Sequence, residues 1–291
     1  MRDFSQDHRW LSLNTATLRK SLGTDLPIPE ILDACARKGI RAVSPWRDQV
    51  HATGLKKVAQ QIRSLGLELS GYCRGGMFPA TDANGLLAAL HENRRAVDEA
   101  AELNAPCLIL VVGSLPGALQ GHAMSKDLSL ARSQVLDGIG ELLEYSKKVG
   151  VPLAIEPLHP MYASDRSCVN TLEQALDFCD NLDSDRSGSL GVALDVYHVW
   201  WDPKLQQQIA RAGKDRLLAF HVCDWLTPTM DMLNDRGMMG DGVIDISQIR
   251  SWVEAQGFSG YSEVEIFSNS WWQKSHHDVL DVCIDRHRRV V

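Results

Sequence analysis

A chain of 291 residues, 44% hydrophobic and 23% charged, can bury a large core as one domain or two small ones, and it carries no low-complexity tract. A formal net charge of -7 argues against a nucleic-acid backbone as the main partner, because that affinity draws on dense positive charge. The opening MRDFSQDHRW lacks a signal-peptide core, no run reaches membrane-span length, and the seven scattered cysteines include no CxxC pair, so a cytoplasmic protein without membrane contact is expected.

Along the chain, apolar strand-like runs fall at 10–14, 40–45, 67–73, 106–112, 151–157, 190–195, 217–222 and 261–267. Helix-like stretches separate them at 28–38, 52–65, 83–103, 131–149, 171–182, 203–213, 245–257 and 276–289. In 131–149, for instance, Val135, Ile139, Leu142, Leu143 and Val149 recur on one helical face. Eight β-then-α units predict an α/β fold, a (β/α)₈ barrel filling residues 1–291 as a single domain. A doubly wound open sheet is the alternative. It would set its strand ends in a row, and no GxGxxG opens the first helix.

The sites of interest are the strand ends. LAIEP, GVALDVYH, LAFHV and YSEVEIF each finish an apolar run with a potential metal ligand: Glu156, Asp195, His221 and Glu265. In a barrel these ends converge on one face. Three carboxylates and one imidazole form a mostly oxygen donor set, suited to one Mn²⁺, with Mg²⁺ or Co²⁺ as alternatives. Such an ion can bind an α-hydroxy carbonyl and stabilise the enediolate left by proton loss, while Glu156 and Glu265 remove and return the proton.

Further candidates stand near the same ends. His159, between Pro157 and Pro160, is a rigidly placed acid or base, or else an exposed loop histidine. His198 lies three residues beyond Asp195 and could turn toward substrate hydroxyls. Arg74, in YCRGGMF, could hold a carboxylate, a phosphate or a sugar hydroxyl, with two glycines allowing close ligand approach. Asp165–Arg166 reads equally as an internal ion pair or a substrate clamp. Asn14 and Trp46 end the first two strands, Trp46 offering a ring face to a sugar. Of Trp200–Trp201 and Trp271–Trp272, one pair could wall the pocket. In the long stretch 225–244, Met230, Met232, Met238 and Met239 read as a lid, a partner surface or rim packing.

These motifs resemble the xylose-isomerase-like barrel superfamily of sugar isomerases, epimerases and lyases, across essentially the whole chain. In its ketose 3-epimerase branch the glutamates after strands five and eight bind metal and exchange the substrate proton; Glu156 and Glu265 match them. Asp195 with His198, then His221, match the strand-six and strand-seven positions, and MGDGVIDI (239–246) looks like the family's Gly-Asp-Gly turn. The branch also carries a glutamate three residues and an arginine six residues after the strand-seven histidine. Here those places hold Asp224 and Thr227, which puts the usual contact to the substrate's far end in doubt, although Asp224 remains a substrate-binding candidate. The motif IEPLHPMYASDR looks like the large subunits of C-glycoside deglycosidases, which implies a role for His159 and a small second subunit.

The resemblance implies a divalent-metal-dependent sugar isomerase or epimerase acting on a small sugar or keto-sugar. The alternative is a metal-dependent lyase that cleaves a 3-keto-glycoside by β-elimination. A homo-oligomer, or a complex with a small second subunit, is expected. A three-zinc DNA-repair endonuclease on the same barrel is disfavoured by the net charge and by how few of the ten histidines end strands. A non-catalytic barrel is disfavoured by the intact ligand set.

Overall fold

In the computed structural model, which describes residues 2–291, a ring of parallel strands is wrapped by helices. The strands are β1 (Leu11–Asn14), β2 (Ala42–Ser44), β3 (Glu68–Leu69 with Tyr72–Gly76), β4 (Leu108–Val111), β5 (Leu153–Ile155), β6 (Leu190–Asp195), β7 (Leu217–Val222) and β8 (Ser262–Val264). Each pairs with its neighbours in chain order. Leu11 beside Ser262 closes the ring between β1 and β8, while the two pieces of β3 pair with β2 and β4. The (β/α)₈ barrel read from the sequence is therefore the fold.

The helices lie where expected: α1 (Ile28–Arg37), α2 (Leu55–Leu65), α3 (Ala83–Glu102), α4 (Leu128–Val149), α5 (Leu172–Leu182), α6 (Leu205–Arg216), α7 (Ile246–Ala255) and α8 (His276–Val290). Three departures have local causes. The stretch 52–65 is split, because Gly54 (φ 102°, ψ 126°) leaves the helical region and separates a short helix at Arg47–Thr53 from α2. Helix α4 starts at Leu128 rather than 131, since the Asp127 carboxylate accepts the Leu130 N–H at 2.9 Å and caps a free backbone donor. Gly213 (φ 60°, ψ -171°) breaks the helical path inside α6.

Strand alternation sets what faces the barrel interior. Leu153, Ile155, Val192, Leu194, Phe220, Val222 and Val264 join the large core between strands and helices. The residues between them point the other way. Ala154, Ala193 and Ala219 meet Cys73, Cys107 and Ile109 in a separate interior layer of mostly small side chains. One step of two further along come Glu156, Asp195 and His221, so small residues below leave room for polar ones above. All seven cysteines are buried and free. Among the described residues no helix is long and apolar enough to cross a membrane.

Candidate active site and metal centre

Glu156, Asp195, His221 and Glu265 each place one ligand atom within 4.8 Å of the other three, and all four are buried. His221 Nδ1 lies 3.0 Å from Glu156 Oε1 and 3.7 Å from Glu265 Oε2. Even so, His221 Nδ1 and Glu156 Oε1 have no properly directed hydrogen bond. Lone pairs that converge in this way, buried and unsatisfied, fit a shared cation and are costly otherwise.

The electrostatics agree. Burial pushes the Glu156 carboxyl up to about 7, and the neighbouring Glu265 adds to the rise. Burial opposes charge on His221, yet Glu263 and the two site glutamates hold its imidazole well above the usual range, toward the cationic form. Asp195 is held down to about 2 in spite of its burial, chiefly by Arg236 and His198. The interior therefore gathers several carboxylates around few cations, and these residues could hold one divalent ion.

Two contributors lay outside the sequence-predicted set. Glu263 is buried two residues before Glu265, with its Oε1 at 3.5 Å from His221 Nε2. Asn14 Nδ2 and Ser70 Oγ hold it at 2.7 and 2.8 Å. It lies beside the far nitrogen of His221, which has no directed hydrogen bond of its own. The period of two in SEVE signals it, since a strand that turns Glu265 inward turns Glu263 inward too. Arg236 gave no such signal. It arrives on a two-residue strand, Arg236–Gly237, paired antiparallel with Asp224–Trp225. Its Nη1 donates to Asp195 Oδ2 at 2.7 Å and Glu265 Oε2 at 3.1 Å, and Nη2 lies 3.1 Å from His198 Nε2.

A cavity of about 260 Å³ opens over this cluster. Glu156, Glu265, His198, Arg236, Arg74 and Arg166 supply its polar wall, and Trp46, Phe267, Met77, Val111, Leu119, Leu158 and Leu233 much of the rest. Trp46 meets Phe267 edge-on, with centroids 5.3 Å apart. His198 is buried and its pKa falls to about 3, so its ring is neutral. Arg166 is ion-paired to Asp165, as one of its two expected readings had it, and it also lines the cavity.

Three expected site residues do not face the cavity. The Asn14 side chain is fully buried and occupied, with Nδ2 on Glu263, and Oδ1 accepting from Trp46 Nε1 at 2.7 Å and the Ala16 N–H at 3.0 Å. It supports Glu263 and Trp46 and is not open to substrate. The Asp224 carboxylate accepts the backbone N–H groups of Trp225, Gly240, Gly242 and Ile244 at 2.9–3.0 Å. It fastens the Gly-Asp-Gly turn, and its lone pairs are used up in doing so. His159 stacks on Trp225 (4.8 Å) and meets Trp201 edge-on (5.7 Å), with Nδ1 accepting the Met161 N–H. Its ring is held outside the cavity wall, so the geometry offers no support for acid–base work by His159.

Other expectations divide. Met238 and Met239 are core residues, while Met230 and Met232 are 80% and 57% exposed on the loop. The Tyr162 and Tyr197 hydroxyls both donate to the Met232 carbonyl, bringing the adjacent Leu233 to the cavity. None of Trp200, Trp201, Trp271 and Trp272 lines the cavity. Gly75 and Gly76 serve strand packing rather than ligand approach: a Cβ on Gly76 would strike the Val111 carbonyl.

Residues 32–283 match the family model of the xylose isomerase-like TIM barrel. The chain belongs to this family. Among solved structures, it is 54% identical to protein SMc04130 from Sinorhizobium meliloti 1021, over 97% of this chain and 98% of that one, with a TM-score of 0.90. Over 217 residues, 74% of this chain and 72% of the relative, it is 24% identical to the inosose isomerase of Halalkalibacterium halodurans. The IOLI protein, crystallised with a bound zinc atom, shares the family fold at 18% identity and a TM-score of 0.79, covering 97% and 99% of the two chains. In this family member the strand-end cluster and the cavity above it form the candidate active site.

Proposed function

We propose that the protein is a divalent-metal-dependent sugar isomerase or epimerase that removes a proton next to a substrate carbonyl. The observation that carries this reading is the convergence of Glu156, Asp195, His221 and Glu265 at the floor of a small cavity that two of them, Glu156 and Glu265, also line. The similarity to an inosose isomerase supports it. The lyase reading drew on His159, whose ring lies away from the cavity, and is not carried forward.

Glu156, Asp195, His221 and Glu265 would hold the ion, with Glu263 orienting His221. The oxygen-rich donor set favours Mn²⁺ over a thiolate-seeking metal. When bound, the ion supplies a positive centre that polarises a carbonyl and favours loss of the neighbouring proton. The chain's own residues do the rest. Glu156 and Glu265 line the cavity as carboxylates able to take the C–H proton and to return it. Neutral His198 and cationic Arg236 face the same space and orient substrate oxygens, and Trp46 and Phe267 give it an apolar wall.

The test is metal analysis by mass spectrometry on protein purified without chelators, with Glu156→Gln as control. One divalent ion per chain, lost in the variant, is expected. Persistent absence of metal, with no uptake on addition, would sink the reading. Because Glu156 and His221 must both lose a proton to ligate, affinity falls as the pH drops through the Glu156 pKa of about 7 and keeps rising above it until the raised His221 imidazole is also neutral. Metal titrations from acid to neutral pH should show a change of about tenfold per pH unit for each proton displaced. Glu263→Gln should weaken the metal by roughly 10–100-fold without removing a ligand, as expected for loss of the group that orients a ligating histidine. An unchanged affinity in that variant would remove Glu263 from the site.

A further inference from the structure

Beside the cavity runs a second groove, lined in part by Arg19, Arg47, Arg74 and Arg95, and the two share Trp46, Arg74 and Met77 as walls. Three of the four arginines are neutralised. Arg19 pairs with Asp48 at 2.6 Å, Arg47 with Glu99 at 2.7 Å and Glu92 at 2.9 Å, and Arg95 with Glu92 at 2.8 Å. Arg74 is different. Its carbonyl accepts a long bond from Arg47, but its guanidinium has no hydrogen-bond or carboxylate partner among the described residues; Asp48 and Glu156 act on it only through space. Burial pushes its pKa down, and the charge of Arg166, which lines the same cavity, adds to that.

The guanidinium of half-buried Arg74 shares the cavity with Trp46, Met77, Val111 and Leu119 and faces no anionic partner there. Its planar fork fits a carboxylate or phosphate in two-point fashion. Glu156 and Glu265 line the same cavity and mark its proposed reacting end. A substrate seated between the two would present its carbonyl to the carboxylates and an anionic substituent to Arg74.

We infer that the substrate of this site is an anionic sugar, a keto-sugar acid or a ketose phosphate, whose charged group is bound by Arg74. This rests on the proposed isomerase or epimerase reading and narrows its substrate class.

The experiment compares D-fructose, D-fructuronate and D-fructose 6-phosphate by calorimetric titration of manganese-loaded protein: wild type, Arg74→Gln and Arg74→Lys. Circular dichroism melting confirms the fold of each variant. In wild type, one of the two anions should bind about 10–100-fold more tightly than fructose, the range expected for a charge-assisted pair. That ratio should collapse toward unity in Arg74→Gln and return in part in Arg74→Lys. The anion that shows the Arg74-dependent advantage tells carboxylate from phosphate. If neither anion binds better than fructose in wild type, or the preference survives in Arg74→Gln, the inference is overturned. The ratio is read from binding alone. Failure of all three compounds to exchange a C–H proton would therefore count against the proposed activity and leave the anion result standing.

Discussion

Glu265→Gln should leave a folded barrel whose exchange of substrate C–H with solvent deuterium falls by about 10²–10⁴-fold, the usual worth of a positioned acid or base. The substitution keeps the shape of the side chain, and its amide oxygen can still face Arg236, which donates to Glu265 Oε2 at 3.1 Å in the native site. It removes the charge and the basic lone pair from a residue that lines the cavity and lies 3.7 Å from His221 Nδ1. Proton NMR in D₂O with a keto-sugar, metal loading verified separately, reads the rate directly. Exchange at the wild-type rate in this variant would sink the assignment of Glu265 to proton transfer, whatever the metal content.

The largest effect on stability is expected from Arg236→Met in chelator-treated protein. The guanidinium lies between Asp195 and Glu265 with all three side chains at most 5% exposed, so screening by water is slight. Removing one partner from a buried ion pair leaves carboxylates without compensation, at a cost of about 3–5 kcal/mol. Asp195 would lose the main cation that holds its pKa at about 2. Urea unfolding should show the loss, and added Mn²⁺ should recover part of it, because an ion seated among the same carboxylates replaces the missing charge. Equal unfolding midpoints for variant and wild type without metal would mean that Arg236 is a bystander.

Much of the site was legible because strands carry their pattern locally. An apolar run ending in Glu156, Asp195 or His221 states both that a strand is present and which face its last residue takes, since side chains alternate with a period of two. Glu263 was equally readable, one period before Glu265 on the same strand. The pairing of Glu156 with Glu265 followed from the same strand ends, and the resemblance to a sugar-enzyme barrel supported it while also favouring Asn14, Asp224 and His159 as site residues. Those three fail for one reason: what a polar side chain touches depends on its neighbours from other segments. Asn14 is taken by Glu263, Asp224 by backbone N–H groups up to twenty residues away, and His159 by two tryptophans.

The alternation of eight strands with eight helices, and the four candidate ligands that follow four of those strands, could be read in one dimension because hydrophobic period and strand register are properties of neighbouring residues. Arg236 among the candidate ligands, Arg74 left without a partner while Arg19, Arg47 and Arg95 are paired, and the loop tied down through the Met232 carbonyl could not. Each depends on chain segments that meet only once the barrel has closed. Charge compensation in a buried site is settled by those distant encounters rather than by anything adjacent in the chain.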